Sequence, residues 1–177
     1  EQFKKLQEKG HNIQHVSVNF SQPLFYQEDI VEYVLATIQE YRLSPTNLEI
    51  EITESIAMQS ANHIIKVIKE LKEHGIRISL DDFGTGYSSF GHLKTLPIDC
   101  LKIDRSFIKD LLIDPQSNAI VSTIITMAKN LTVDVIAEGV ETEEQAEFLL
   151  KHHCYDLQGY YYSPPVSMDD LEKLLEK

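Results

Sequence analysis

Short apolar runs rich in β-branched residues recur along the chain, and each is followed by a longer stretch in which apolar residues return every three to four positions. The first pattern is that of a buried strand and the second that of an amphipathic helix, so their alternation predicts repeated βα units. Six strands follow: His15 to Phe20, Leu48 to Thr53, Arg77 to Asp81, Cys100 to Asp104, Val133 to Ala137, and a short one from Tyr155 to Gln158. Helices are expected over Glu28 to Tyr41, Ser60 to His74, Ser88 to Leu96, Pro115 to Asn130, Thr142 to Lys151 and from Ser167 to the end. The segment before Gly10 reads as the tail of another helix. Some boundaries carry their own signals: Ser60 precedes a helix that stops at Gly75, and Asp114-Pro115 pairs an N-cap with a first-turn proline.

Alternation of this kind builds either an open doubly wound sheet or a closed (β/α)8 barrel of the TIM type. Polar residues sit at or just beyond the C-terminal end of nearly every strand: Asn19, Glu51 and Glu54, Asp81 and Asp82, Lys102 and Asp104, Glu138 and Glu141, Gln158. A barrel converges those ends on one mouth, whereas an open sheet spreads them along an edge, and this favours the barrel. Such barrels run to about 250 residues and rarely below about 200. Six strands in 177 residues therefore predict an incomplete α/β barrel, residues 1–177 forming one domain that lacks about two strands' worth at its front.

Charge narrows the partners. Lys and Arg number 16 against 28 Asp and Glu, a net charge of -12, which repels polyphosphate backbones and excludes long nucleic acid as a partner. A small anionic ligand remains compatible where clustered carboxylates hold divalent cations and invert the local field. Cys100 and Cys154 are too few and too far apart for a zinc pattern or a disulfide framework, so a reducing, cytoplasmic setting is expected. No apolar run approaches the roughly 20 residues that span a bilayer, and the first ten residues lack the apolar segment of a signal peptide. A parent protein anchored through membrane segments elsewhere is compatible with this.

The candidate chemistry lies at the strand ends. In the run DDFGTGYSS from Asp81 to Ser89, two adjacent carboxylates end an apolar strand and a glycine-rich turn follows. Their repulsion is relieved by a divalent cation, and hard oxygen ligands suit Mg2+ or Mn2+; a solvated pair capping the next helix is the plainer reading. In LEIEITE, Glu49 and Glu51 face one way and Ile50 and Ile52 the other. A carboxylate near a barrel mouth needs a partner or a metal to offset its desolvation, which makes Glu51 a candidate ligand. Glu54, in the following loop, is placed to accept hydrogen bonds from a neighbouring loop. Asn19 offers an amide oxygen that completes a cation shell without adding charge, or simply a turn. Lys102, flanked by apolar residues, either orients an attacking oxygen beside the carboxylates or pairs with Asp104 or Asp99 at the surface. Glu138 resembles the other strand-end acids, while Glu141 equally suits the first turn of a helix. Gln158 and the rings of Tyr160, Tyr161 and Tyr162 suit a guanine or the packing of a barrel end. The seven His lack a paired metal spacing, Gly84-Thr85-Gly86 is not continued into a phosphate-binding fingerprint, and no nucleophile elbow occurs.

Taken in order, VNFS around Asn19, EIEITES around Glu51, DDFGTGYSS, LPIDCLKID with Lys102, AEGVE around Glu138 and QGYYYSPP cover nearly the whole chain. This set resembles the EAL domain family, the cyclic di-GMP phosphodiesterases. The resemblance implies a modified (β/α)8 barrel and hydrolysis of cyclic di-GMP to linear pGpG by water activated between two divalent ions, Mg2+ or Mn2+. It implies Asn19, Glu51, Asp81, Asp82 and Glu138 as metal ligands, Asp81 being shared in part. Lys102 and Glu54 are the candidate catalytic residues, Lys102 as a contact to the attacking water and Glu54 as the holder of the loop Phe83, Gly84, Thr85, Gly86, Tyr87 and Ser88. That loop is tied in the family to dimerisation, which implies a homodimer. Gln158, Glu141 and Tyr160 fall on the substrate side, and an upstream GGDEF or sensor domain is a plausible companion. The name-giving Glu-Ala-Leu motif, itself carrying a ligand, is not among these residues; its expected place is upstream of Glu1, and low activity is expected of the chain alone. The alternative is a receptor that holds cyclic di-GMP without hydrolysing it, or a regulatory interaction domain; the intact ligand positions favour catalysis.

Overall fold

Residues 1–58, 62–86, 93 and 95–176 are described by a computed structural model. Their strands are β1 (Val16–Asn19), β2 (Leu48–Thr53), β3 (Arg77–Phe83), β4 (Cys100–Ile103), β5 (Asp134–Glu138) and β6 (Asp156–Gln158). The helices are α1 (Gln2–Glu8), α2 (Ile30–Glu40), α3 (Glu54–Met58), α4 (Asn62–Glu73), α5 (Arg105–Lys109), α6 (Pro115–Leu131), α7 (Glu143–Lys151) and α8 (Met168–Leu175). The strands form one sheet in chain order, every neighbouring pair parallel. Parallel neighbours need a crossover, which the intervening helices supply. Sequential parallel strands with helical crossovers make an incomplete TIM-type barrel, with β1 and β6 as its edges among the described residues.

Strand alternation assigns the two faces. Ile50, Ile52, Ile78, Leu80, Leu101 and Ile103 point outward and are buried against Ile64, Ile68 and Leu71 of α4 and Val121 and Ile125 of α6. Each such side chain contributes about 1.5–3 kcal/mol by leaving water. The other face is polar and lines the barrel interior. At its N-terminal end Glu49, 1% exposed, accepts hydrogen bonds from Ser17 Oγ at 3.0 Å and Arg77 Nε at 3.2 Å. Arg77 Nη2 continues to Asp134 Oδ2 at 2.9 Å, so one ionic chain ties β1, β2, β3 and β5. Cys100 and Cys154 are buried thiols, and burial pushes both up to about 12.

The expected strands are present, with boundaries that moved for local reasons. β3 runs on to Phe83 rather than stopping at Asp81, because a bulge carries it past the acid pair. β4 stops at Ile103, since Asp104 turns to accept Ser106 N at 2.9 Å and caps α5. Glu138 belongs to β5 itself. Glu54 opens helix α3 instead of lying in a loop. Asp114 and Thr142 cap α6 and α7 as their spacing predicts. The helix expected from Ser88 to Leu96, and the Ser60 cap, fall largely outside the described residues. Among the described residues no helix is long and apolar enough to cross a membrane.

Candidate active site

The site begins with the bulge. Leu80 pairs with Leu101 and Phe83 with Ile103, so two residues of β3, Asp81 and Asp82, stand opposite the single Lys102 of β4. Regular alternation sends neighbours to opposite faces; an inserted residue suspends that rule at the strand's carboxyl end. Asp82 takes up the extra residue with φ 56, a left-handed conformation that aspartate adopts more readily than most side chains. Its backbone N–H donates to Asp81 Oδ1 at 3.0 Å.

Lys102 is the centre. Its Nζ lies 2.7 Å from Glu138 Oε1, 2.9 Å from Glu51 Oε1 and 3.5 Å from Asp81 Oδ1, so carboxylates from three strands converge on one ammonium that is 5% exposed. Burial works against the lysine's charge, but the hydrogen bonds to Glu138 and Glu51 outweigh it and hold the ammonium above its ordinary range. Glu138 is pushed up by burial, an effect that Lys102 moderates and the charges of Asp81 and Glu51 reinforce. Asp82 is also pushed up, first by burial and then by the charges of Asp81 and Asp104, with Lys102 and Arg105 easing it.

Three carboxylates, Glu51, Asp81 and Glu138, thus share one lysine at the mouth, with the Asp82 carboxyl next to Asp81 within reach of its charge. Such an excess of hard, anionic oxygen fits a divalent cation. Asn19 stands beside Glu51 in register on the same face, where its amide oxygen adds a neutral donor. As they lie, Glu51, Asp81 and Glu138 turn toward Lys102, and among the described residues no three His, Cys, Asp or Glu side chains enclose a metal position. Neither surface partner considered for Lys102 takes it: Asp99 pairs with Lys72 at 2.7 Å, and Asp104 caps α5.

Glu54 organises the next loop. Its Oε2 accepts Gly84 N at 2.9 Å and Gly86 N at 3.2 Å, and the carboxylate is 2% exposed. Gly84, at φ +101, has Phe107 so close that a Cβ would lie 2.6 Å from its ring. Phe83 anchors the loop in the core, and Thr85 Oγ1 donates to Asp82 O at 2.9 Å. Tyr87 and Ser88 lie outside the described residues.

Gln158 is paired in register with Glu138 on the inner face of β6. Glu141 is exposed in the loop after β5, its backbone N–H donating to Gln145 Oε1 at 2.8 Å within the cap of α7. Tyr160, 67% exposed, lies in the loop after β6. These last two do not join the Lys102 cluster. Sequence reasoning passed over Arg105, whose charge acts on Asp82, and the Glu49–Arg77 pair deeper in the barrel. The available signals were the position of Arg105 directly after a strand-end acid and the opposite charges at the two strand starts.

This fold and arrangement belong to a known group: the chain is a member of the EAL domain family, which matches residues 1–165. It is 43% identical over 168 residues to the signaling protein YkoW of Bacillus subtilis, covering 95% of this chain and 21% of that protein. It is 40% identical over 166 residues to the cyclic di-GMP phosphodiesterase NbdA of Pseudomonas aeruginosa, covering 94% of this chain and 21% of that one. The chain therefore spans about a fifth of the length of these relatives. Among solved structures, the cyclic di-GMP complex of the PaMucR phosphodiesterase superposes with a TM-score of 0.91 at 40% identity, covering 96% of this chain and 69% of that one. The manganese and cyclic di-GMP complex of Klebsiella pneumoniae BlrP1 superposes with a TM-score of 0.84 at 28% identity, covering 92% and 42%.

Proposed function

We propose that the protein carrying this chain hydrolyses cyclic di-GMP to linear pGpG in a reaction that depends on Mg2+ or Mn2+. The observation that carries the proposal is the convergence of Glu51, Asp81 and Glu138, from three parallel strands, on the buried Lys102 at the strands' carboxyl ends. The family membership and the ligands named for the PaMucR and BlrP1 structures support it.

Glu51, Asp81, Asp82, Glu138 and Asn19 are the donors that would hold two divalent ions. Bound there, such ions supply Lewis-acid polarisation of the phosphodiester and lower the pKa of water. Lys102 presents N–H donors that orient the attacking oxygen and offset phosphoryl charge. Water adds at one phosphorus, the P–O3′ bond breaks, the released ribose 3′ oxygen takes up a proton originating from the water, and the ring opens to pGpG with its phosphate on the 5′ end. Glu54 acts as a positioning residue through the loop from Phe83 to Ser88. Gln158, Glu141 and Tyr160 line the approach for the nucleotide, the tyrosine ring as a stacking surface for guanine.

The proposal includes a homodimer formed through that loop. It is supported by an open apolar cavity of about 470 Å3 beside the loop, lined by Phe83, Gly84, Phe107, Ile120 and Met127 among others. An upstream GGDEF or sensor domain and a cytoplasmic setting complete it. The former is supported by a further relative, the bifunctional diguanylate cyclase/cyclic di-GMP phosphodiesterase MucR of Pseudomonas aeruginosa, of which this chain spans 24%. Chromatographic detection of pGpG from cyclic di-GMP, with Mn2+ and with EDTA, tests the reading. Cyclic di-GMP that binds to the metal-loaded protein and is never cleaved would assign a receptor instead.

A further inference from the structure

We infer that Lys102, beyond its part in the reaction, is a resident counter-cation that holds the metal-ligand carboxylates together when no divalent ion is bound and competes with the ion for them. The inference rests on the metal-site reading above and concerns what the lysine does to metal binding rather than to the reaction.

Three observations lead to it. Lys102 Nζ engages Glu138, Glu51 and Asp81 at 2.7, 2.9 and 3.5 Å, and each of these comes from a different strand. The lysine is almost wholly buried, so solvent does little to screen its charge from the carboxylates. The same three carboxylates are among the donors proposed above for the divalent ions, so ammonium and ion call on the same oxygens.

Electrostatics then sets the sign. Without the ammonium, Glu51, Asp81 and Glu138 are left as partly buried, mutually repelling acids, which destabilises the metal-free barrel. With a divalent ion bound, the ammonium is a like charge at close range and opposes it. Removing the positive charge raises the free energy of the metal-free state and lowers that of the loaded state, so both effects tighten metal binding. A residue that served only to shape the pocket would have neither effect, and one that helped to bind the metal would show the reverse.

The experiment compares the wild-type protein carrying this chain with its Lys102→Met and Lys102→Arg variants at pH 8. Mn2+ affinity is measured by calorimetry, and melting temperature in EDTA and in saturating Mn2+. Lys102→Met is expected to bind Mn2+ at least tenfold more tightly than wild type, to melt lower in EDTA and to gain more from Mn2+. Lys102→Arg keeps the charge and is expected to stay near wild type in affinity. Equal or weaker Mn2+ binding by Lys102→Met overturns the inference while leaving the metal site in place. Absence of Mn2+ binding by all three proteins overturns the metal reading and the inference with it. If Lys102→Met does not fold, the wild-type lysine ammonium decides by nitrogen-15 NMR. A slowly exchanging ammonium signal in EDTA that shifts or is lost on Mg2+ saturation supports the inference; no protected signal, or one indifferent to Mg2+, overturns it.

Discussion

Glu54 and Gly86 fit so closely that a Cβ on the glycine would lie 2.7 Å from Glu54 Oε1, while Glu54 Oε2 accepts the N–H groups of Gly84 and Gly86. Hydrogen bonds to a buried carboxylate are stronger than neutral ones, and each contributes about 1.5–3 kcal/mol. Gly86→Ala pushes the loop off its anchor, and Glu54→Ala leaves two N–H groups without it. Both variants are expected to lose at least tenfold in cyclic di-GMP turnover, with Glu54→Ala, which removes two such bonds, also losing about 3 kcal/mol or more in urea unfolding. Full turnover in both would remove the loop from the proposed site.

Gly159 meets backbone rather than side chain. A Cβ there would stand 2.1 Å from Val140 O and 2.3 Å from Val140 N, where the loops after β5 and β6 are joined by Val140 N to Gln158 O at 3.0 Å and Tyr161 N to Val140 O at 3.0 Å. Backbone cannot rotate out of the way as a side chain can. Gly159→Ala is expected to cost about 3 kcal/mol, at the upper end for overpacking, measured as a fall in the urea midpoint. An unchanged midpoint would show that the two loops separate at little cost.

Glu49 and Arg77 form the ionic chain at the opposite end of the barrel. Arg77→Met leaves the buried Glu49 carboxylate the Ser17 hydroxyl at 3.0 Å and His15 Nε2 at 3.8 Å as side-chain partners among the described residues, and because Arg77 is one-third exposed in its side chain, water repays part of the loss. An expected cost of about 2–3 kcal/mol falls below the 3–5 typical of a fully buried pair. The double variant Glu49→Gln/Arg77→Met is expected to be more stable than Arg77→Met alone. A double variant less stable than either single one would contradict this pairing.

Asp114 supplies a pH dependence with a definite sign. Hydrogen bonds from Gln116 N, then from the Ser117 hydroxyl and N–H, hold its carboxyl below the ordinary 3.8. The unfolded chain therefore takes up the proton first, so the cap's stabilisation is complete above pH 3.8 and is lost as pH falls through the lowered value. Asp114→Ala is expected to melt lower at pH 7 and to show a shallower acid limb below pH 4 than wild type. Parallel melting curves across that range would show that the cap does not titrate with folding.

Much of this was legible because one rule carries most of it: parallel strands put their polar ends on one side. Glu51, Lys102 and Glu138 could be read as neighbours from strand ends alone, and the structure brings them within hydrogen-bonding distance. The bulge was not legible, since the acid pair reads as the end of the apolar run RISL, and only the pairing of Phe83 with Ile103 shows that the strand slips and continues. Glu49 and Glu51 look equivalent by alternation. They differ because one stands opposite Arg77 in register and the other near Lys102, a tertiary distinction. Glu54 was expected in a loop because a strand had just ended; the short helix α3 has too few residues to show a helical period. Asp104 was expected to carry site chemistry or pair with Lys102, and its capping bond to Ser106 follows from where β4 stops, which local pattern does not fix to the residue.

The central claim is that the carboxylates around Lys102 hold the ions that make cyclic di-GMP hydrolysis possible. The most direct measurement is pGpG formation from cyclic di-GMP by the protein carrying this chain, run with Mn2+, with EDTA, and with Mn2+ in the Asp81→Asn variant. The account expects pGpG in the first and at least a hundredfold less in the other two. Undiminished pGpG in EDTA or in Asp81→Asn would contradict it.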